Sequence, residues 1–450
     1  MFFISREKKV ALMFIGCMTL TLFYVNIPVL NTANLIFVGC FWLSEFNNVR
    51  SLFRKLKKSP LYRIYILLIC SLVLSLVFSP HLHAFKDARL FLQSELFLKY
   101  FAIAYGFWSI KNERCMRTLI KFSLIPLFIL TFCGIINLIE HRSFFVSEMM
   151  SNWSSLNDTN ELSGDAFTDA KRFRVQSMFF NPFDYGYICI VCLFAYIYAF
   201  RKKMIKRSLF YVLTFCCWFG ILMCGCRTVL LCTIVGYCIF GWLTYDYSKI
   251  MKVALAIVAI GWVSYITIPF VNEKVNQMTT LFDTDGKGLE GSTIDMRIIQ
   301  LATVLYYIED NPAFGMGVKF FSIDMNWQEG TSGHQDSRLQ GLEGVYLSYL
   351  LERGIVGYIF YLVIWVIILM YMYRRRYVDK ELSVFGISLW VVYFLFAHLT
   401  GELLSAYPTL LILGCVFGML NTKELLYKGQ EYSSQQQSLH KYKQIGSTLL

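Results

Sequence analysis

From Val10 almost to Asn421 the sequence keeps returning to apolar stretches of about 20 residues, the length an α-helix needs to cross a hydrocarbon core. A bilayer offers backbone N–H and C=O groups no water. A spanning segment must therefore satisfy them internally, as a helix or within a closed barrel. Barrel strands alternate apolar and polar residues, and these runs do not. With 56% hydrophobic and only 16% charged residues among 450, the composition excludes an ordinary soluble enzyme. The expected fold is an all-α polytopic membrane protein.

Twelve segments qualify: 10–26, 28–46, 61–79, 90–109, 118–139, 182–200, 208–225, 227–245, 251–271, 342–373, 382–400 and 403–420. The fourth carries Glu95 and Lys99, whose spacing lets them pair on one helix face. The first follows a basic flank as a secretory signal would, but no small-x-small cleavage site follows, so it reads as an uncleaved helix. Basic residues stay on the cytoplasmic side of short connections. The clusters at Arg6 to Lys9, Arg50 to Arg63, Lys111 to Arg117, Arg201 to Arg207, Lys249 to Lys252 and Arg374 to Arg376 all fall on one side of this layout. Both termini then lie in the cytoplasm. The net charge of +12 is mainly a topology signal that also suits anionic membrane lipid, not nucleic acid. Within the 1–421 membrane domain the fourteen cysteines sit mostly in apolar runs, where they pack as small hydrophobes. Cys224 and Cys226 are close enough for a strained bridge, with packing the plainer alternative. Residues 422–450 form a polar, glutamine-rich tail expected to be disordered in the cytoplasm.

Two outer connections, 140–181 and 272–341, are too long to be mere links. In the second, residues 293–310 read as an amphipathic helix, with Ser292 or Thr293 as cap, Asp295 in the first turn and Asn311-Pro312 as stop. Its apolar stripe, Ile294, Ile298, Leu301, Leu305 and Ile308, is expected to face the bundle. Gly315 and Gly317 then permit a tight turn.

The same outer side collects Arg172, Arg174, Arg227, Arg297 and Glu343. Charges at the edge of spanning helices are costly and mark candidate sites. Each has a plainer reading. Arg227 can simply snorkel from a helix end to the headgroups, Arg174 can be a boundary anchor, and Arg172 with Lys171 can serve the interface or solubility. Arg297 can pair with Asp295 or Glu309, and Glu343 can favour its own helix start. Together, guanidiniums beside a carboxylate suit an anionic lipid-linked substrate, because the guanidinium fork grips phosphate oxygens and a carboxylate can take a hydroxyl proton. His334 is an alternative base. Asp283 and Asp285 have a faint calcium-loop spacing that does not continue in register, so no metal and no cofactor is expected.

Four stretches in this order, "RVQSMFFNPFDYGY", "CGCRTVLL", "DMRIIQLATVLYYIEDNPAFGMGVKFF" and "EGVYLSYLLERGIVGY", resemble the bacterial O-antigen polymerase and O-antigen ligase superfamily over residues 170–373. The resemblance implies a metal-independent, inverting glycosyltransferase at the outer face of the plasma membrane. Its donor and acceptor would be polyprenyl-diphosphate-linked oligosaccharides, and a chain-length regulator would be a possible partner. By position, Arg174, Arg227 and Arg297 would bind the donor diphosphate, with Arg227 also catalytic. The ligase branch typically carries a histidine then asparagine where this chain has Glu343-Gly344. That departure favours a surface-polysaccharide polymerase (O-antigen or capsule), with Glu343 as base or acceptor-binding residue. A ligase acting on lipid A core is the nearest alternative. A flippase for the same lipid-linked sugars would place charges through both leaflets instead.

Overall fold

The computed structural model describes residues 60–80, 113–140, 174–179, 181–245, 294–317, 337–339, 344–401 and 408–427, with isolated positions at 8, 12, 103, 106, 107, 259, 262, 265–267, 272, 320 and 342. Among the described residues the architecture is helical throughout: α1 Pro60–Phe78, α2 Glu113–Glu140, α3 Pro182–Arg201, α4 Arg207–Met223, α5 Arg227–Thr244, α6 Ile294–Tyr307, α7 Val345–Arg374, α8 Lys380–Thr400 and α9 Pro408–Tyr427. Seven of these are long and apolar enough to cross a membrane, and α4 is a shorter apolar helix. The chain is a polytopic membrane protein. The expected segments 10–26, 28–46, 90–109 and 251–271 lie outside the continuously described residues, as does the tail beyond Tyr427.

The central helix is α3, packed by α2, α4, α5 and α8. Tyr185, Tyr187, Tyr196 and Tyr198 are all buried along it. Its start is locally encoded. Asn181 is extended at φ −123° and ψ 131°, its side chain accepts from the Phe183 N–H at 2.9 Å, and Pro182 occupies the first helical position. That combination satisfies one free N–H and spends none on proline. Asn181→Ala is expected to cost about 1 kcal/mol, readable as a lowered melting midpoint of the detergent-purified protein. Outer helices turn large apolar side chains such as Ile139 and Phe215 to the surroundings, as lipid-facing surfaces do. Between α7 and α8, Trp365 and Trp390 stack at 3.7 Å, and the Trp390 indole N–H donates to the Trp365 carbonyl at 3.1 Å.

One end of the bundle carries the basic residues. Arg201 at the end of α3 grips Glu381 at the start of α8 through two nitrogens, one of them at 2.6 Å. Asp379 caps α8 through the Leu382 N–H at 3.1 Å, and takes Lys202 of the α3–α4 turn at 3.0 Å and Lys423 of α9 at 2.5 Å. Lys423 also reaches Glu113 at the start of α2, and Arg375 pairs with Glu424, each at 2.6 Å. These contacts place the basic residues at the end of α3, the start of α2 and the end of α7 at a common end, and α9 continues as a helix through Tyr427, so residues 422–427 of the 422–450 tail, expected to be disordered, are helical and tied in by Lys423 and Glu424. Burial works against the Asp379 carboxylate, but Lys423, the Leu382 N–H and Lys202 outweigh it, holding its pKa below the ordinary value. With the folded pKa depressed, this stabilisation is present above the unfolded value near ~4 and fades as pH falls through the folded one.

At the opposite end, α7 is two helical pieces joined at Gly354, whose φ of 64° and ψ of −169° break the helix. The groups freed there are taken up by the Pro312–Gly317 turn. Met316 and Gly317 N–H groups donate to the Leu351 and Glu352 carbonyls at 2.8 and 3.0 Å; Ile355 and Val356 N–H groups donate to Pro312 and Ala313, each at 3.0 Å. A break in a long apolar helix survives where protein supplies the missing partners in this way. The same turn holds the end of α1: Asn311 donates to the Phe78 carbonyl at 2.8 Å, Ser79 to the Met316 carbonyl at 2.6 Å, and Phe78 stacks on Phe314.

The helix expected at 293–310 is present as α6, and Asn311-Pro312 ends it; Ser292, Thr293 and the Asp295 side chain lie outside the described residues. Of its expected buried stripe, Leu301 and Ile308 pack inward, Ile298 and Leu305 do not, and the Ile294 side chain lies outside the described residues. Ile298 and Leu305 are 59% and 51% exposed, whereas Gln300, Thr303, Val304 and Ile308 are buried. Val304 and Ile308 join Leu347 and Leu351 of α7 in a small second core. The helix is apolar on two sides, and the face that meets α7 is the one that buries, taking Gln300 and Thr303 with it.

Candidate functional site

The segment leading into α3 is not a free loop. Val175, Gln176, Ser177 and Phe179 are buried, and the segment is stitched to its neighbours. The Val175 N–H donates to the Met223 carbonyl at 3.0 Å, the Ser177 hydroxyl to the Leu130 carbonyl at 2.6 Å, and the Asn137 amide to the Ser177 carbonyl at 2.9 Å. This non-helical hook fixes Arg174 at its outer end. The Arg174 stem lies over Gly225, where an added Cβ would meet Arg174 Cγ at 3.3 Å. Gly225, at φ +63°, makes the turn between α4 and α5, and Arg227 is the first residue of α5. Arg174 and Arg227 are therefore brought to one corner. Asp184, buried in the first turn of α3, and Arg174 both lie in the neighbourhood of the buried Cys226 thiol. Cys224 and Cys226 are free, each thiol donating to a local carbonyl, so the packing reading holds and the bridge does not form.

A second group forms around the end of α8. Arg297 of α6 donates to the Leu399 carbonyl at 2.6 Å, a cation meeting the negative end of a helix. Its contact is thus with the bundle, in addition to any partner on its own helix. Gly344, at φ +93°, packs its backbone on the His398 carbonyl, where a Cβ would come within 2.7 Å. His398 itself sits among Tyr346, Tyr358, Tyr361 and Phe394. The two groups share an end of the bundle. Phe183 and Tyr187 of α3 both pack on Phe396. In the antiparallel pair α5 and α8, Gly236 faces Val392, and Arg227 lies about two and a half turns from Gly236 while Thr400 lies a little over two turns from Val392, on the same side.

Of the residues singled out by sequence, Arg174, Arg227 and Arg297 thus stand at one end, opposite the basic end. Glu343 lies outside the described residues, and so do Arg172, His334, Asp283 and Asp285. Three residues escaped the sequence reading. Asp184 is signalled only as an acid opening an apolar helix. Arg353, 5% exposed, lies beside the α7 break with its guanidinium carbon 4.2 Å above the Tyr349 ring; a Glu-Arg-Gly triplet inside an apolar run is its mark. His398 carries no motif, and only the fold reveals its neighbours.

A family model described as O-antigen ligase matches residues 212–362, from within α4, through α5 and α6, into α7. No curated protein matches the chain. Arg227, Arg297, Glu343 and Arg353 fall inside the matched span, while Arg174 and His398 flank it. Over residues 212–362 this many-helix membrane protein is thus similar to the O-antigen ligase family.

Proposed function

We propose that the protein is a polymerase of surface polysaccharide, O-antigen or capsule, joining polyprenyl-diphosphate-linked oligosaccharide repeat units at the outer face of the bacterial inner membrane. The observation that supports this most is the corner where Arg174 overlies the turn that opens α5 at Arg227. Two guanidiniums there suit a diphosphate, which each can grip bidentately. As the bond from the donor's reducing-end sugar to the diphosphate breaks, charge grows on the leaving oxygens, and positioned cations stabilise it. The acceptor hydroxyl of the second unit attacks the opposite face of the anomeric carbon, so configuration inverts, and no metal is required. Arg297, held on the Leu399 carbonyl, positions α6 against α8 and presents any remaining donors toward the diphosphate. Glu343 is assigned the acceptor side, as base or hydroxyl-binding group. The basic end faces the cytoplasm in this reading, with both termini, and meets anionic membrane lipid there.

The description of the matching family as O-antigen ligase favours a second reading, transfer of finished polymer to a lipid A core sugar. A strain lacking the protein separates the two. The polymerase predicts core capped by single repeat units, seen as loss of the glycan ladder above one unit on a gel. Uncapped core with accumulated lipid-linked polymer would replace it by the ligase. Movement of labelled lipid-linked sugar across vesicle membranes with no lengthening of glycan would replace both by a flippase.

A further inference from the structure

His398 stands in the last turn of α8, just before Gly401 ends that helix. Its two ring nitrogens have distinct partners: Nδ1 is 2.8 Å from the Phe394 carbonyl, and Nε2 is 3.3 Å from the Tyr358 hydroxyl. A carbonyl oxygen only accepts, so Nδ1 carries the hydrogen. In the neutral ring Nε2 is then a bare lone pair, and Tyr358 donates to it. Tyr358 belongs to α7, about one turn beyond the break at Gly354, and its side chain is half-buried. Tyr358 and His398 therefore form an oriented donor and acceptor pair at the end of the bundle that also holds Arg297 on Leu399 and Gly344 on the His398 carbonyl.

We propose that Tyr358 and His398 are a proton relay for the acceptor sugar hydroxyl. The inference rests on the glycosyl transfer proposed above. The acceptor oxygen forms a bond to the anomeric carbon of the donor's reducing-end sugar. The bond from that carbon to the diphosphate oxygen breaks, and its electron pair leaves with the diphosphate. The acceptor's proton passes to the Tyr358 oxygen as the Tyr358 proton passes to His398 Nε2. A phenol alone is too weak a base for this; handing its own proton to an imidazole removes the difficulty. The imidazolium that results lies at the C-terminal end of α8, where the helix dipole favours a cation, and keeps its Nδ1–H bond to Phe394. A separation of 3.3 Å is the loose geometry usual before substrate closes a site. Among the described residues, the other titratable or charged groups facing this pair are Tyr346 and Tyr361 of α7, Arg297 of α6 on the adjoining carbonyl, and Tyr187 of α3 against Phe396.

The test uses full-length protein in membrane vesicles that contain endogenous lipid-linked repeat units, comparing wild type with Tyr358→Phe, His398→Gln, their double variant and Tyr371→Phe. The measurement is the rate of glycan lengthening against pH, at equal protein amount. Tyr358→Phe and His398→Gln are each expected to slow lengthening at least about 10²-fold, the range of a lost general base. The double variant should be no slower than the worse single, as for groups acting as a unit. Wild-type rate should fall on acidification as Nε2 protonates, and His398→Gln should lose that limb. Tyr371→Phe, which removes a hydroxyl near the basic end of α7, should keep the wild-type rate. Tyr358→Phe lengthening chains at the wild-type rate, or Glu343→Gln alone abolishing the acid limb, would overturn the relay and leave the transfer reading standing. Wild-type vesicles that never lengthen glycan would overturn both.

Discussion

Replacing Arg227 by alanine is expected to slow chain lengthening by about 10³-fold, and replacing Arg174 or Arg227 by lysine by about 10²-fold, the cost of removing one aimed donor from a site of developing charge. The lysine variants are the sharper test. An ammonium keeps the charge but loses the fork that matches two phosphate oxygens. At position 174 lysine also keeps the Cγ and Cδ methylenes that lie 3.3 and 3.9 Å from where a Gly225 Cβ would stand, so the hook packs as before. Membrane insertion and protein level should therefore be unchanged on an immunoblot while the long glycan ladder shortens. Full-length ladders from both lysine variants would remove the diphosphate role.

Gly354→Ala is expected to destabilise the protein by about 2 to 6 kcal/mol. The backbone there occupies a region open almost only to glycine, worth about 1 to 3 kcal/mol by itself. The new Cβ would also stand 2.5 Å from the Ala313 carbonyl and the Phe314 nitrogen, and overlap of this kind costs about 1 to 3 kcal/mol more. Gly315→Ala should act in the same direction, because its Cβ would lie 2.6 Å from the Gly354 nitrogen at φ +69°. The two positions touch, so the double variant should cost less than the sum. Thermal unfolding in detergent measures this; a Gly354→Ala protein as heat-stable as wild type would mean that the four hydrogen bonds across the break are not made.

What the sequence made legible was local. Apolar run length is written in consecutive residues, so α1 to α5, α7 and α8 appear where hydropathy puts them, α9 overlaps its run but continues beyond it, and Asn181-Pro182 and Asn311-Pro312 carry their own start and stop chemistry. What it hid was set by distant partners. Nothing near Ser177 announces that its hydroxyl will find Leu130, so the last residues of the first outer connection read as loop when they are buried. The phase of α6 is only partly legible for a related reason: Leu301 and Ile308 pack inward as their spacing suggests, but Ile298 and Val304 are equally apolar, and only α7 decides between their faces. The corner of Arg174 and Arg227 was partly visible as shared sidedness, whereas Asp184, Arg353 and His398 became candidates only once α3, α7 and α8 were set beside their neighbours.

The bond from Ser79 to Met316 joins residues 237 positions apart. During synthesis α1 is made and inserted long before the turn that receives its end exists, and the first part of α7 comes later still. Final assembly of this end of the bundle must therefore wait until most of the polypeptide has left the ribosome. A chain truncated before Met316 would place its early helices in the bilayer yet leave the α1 terminus without its lock, an orphan that quality-control proteases can recognise.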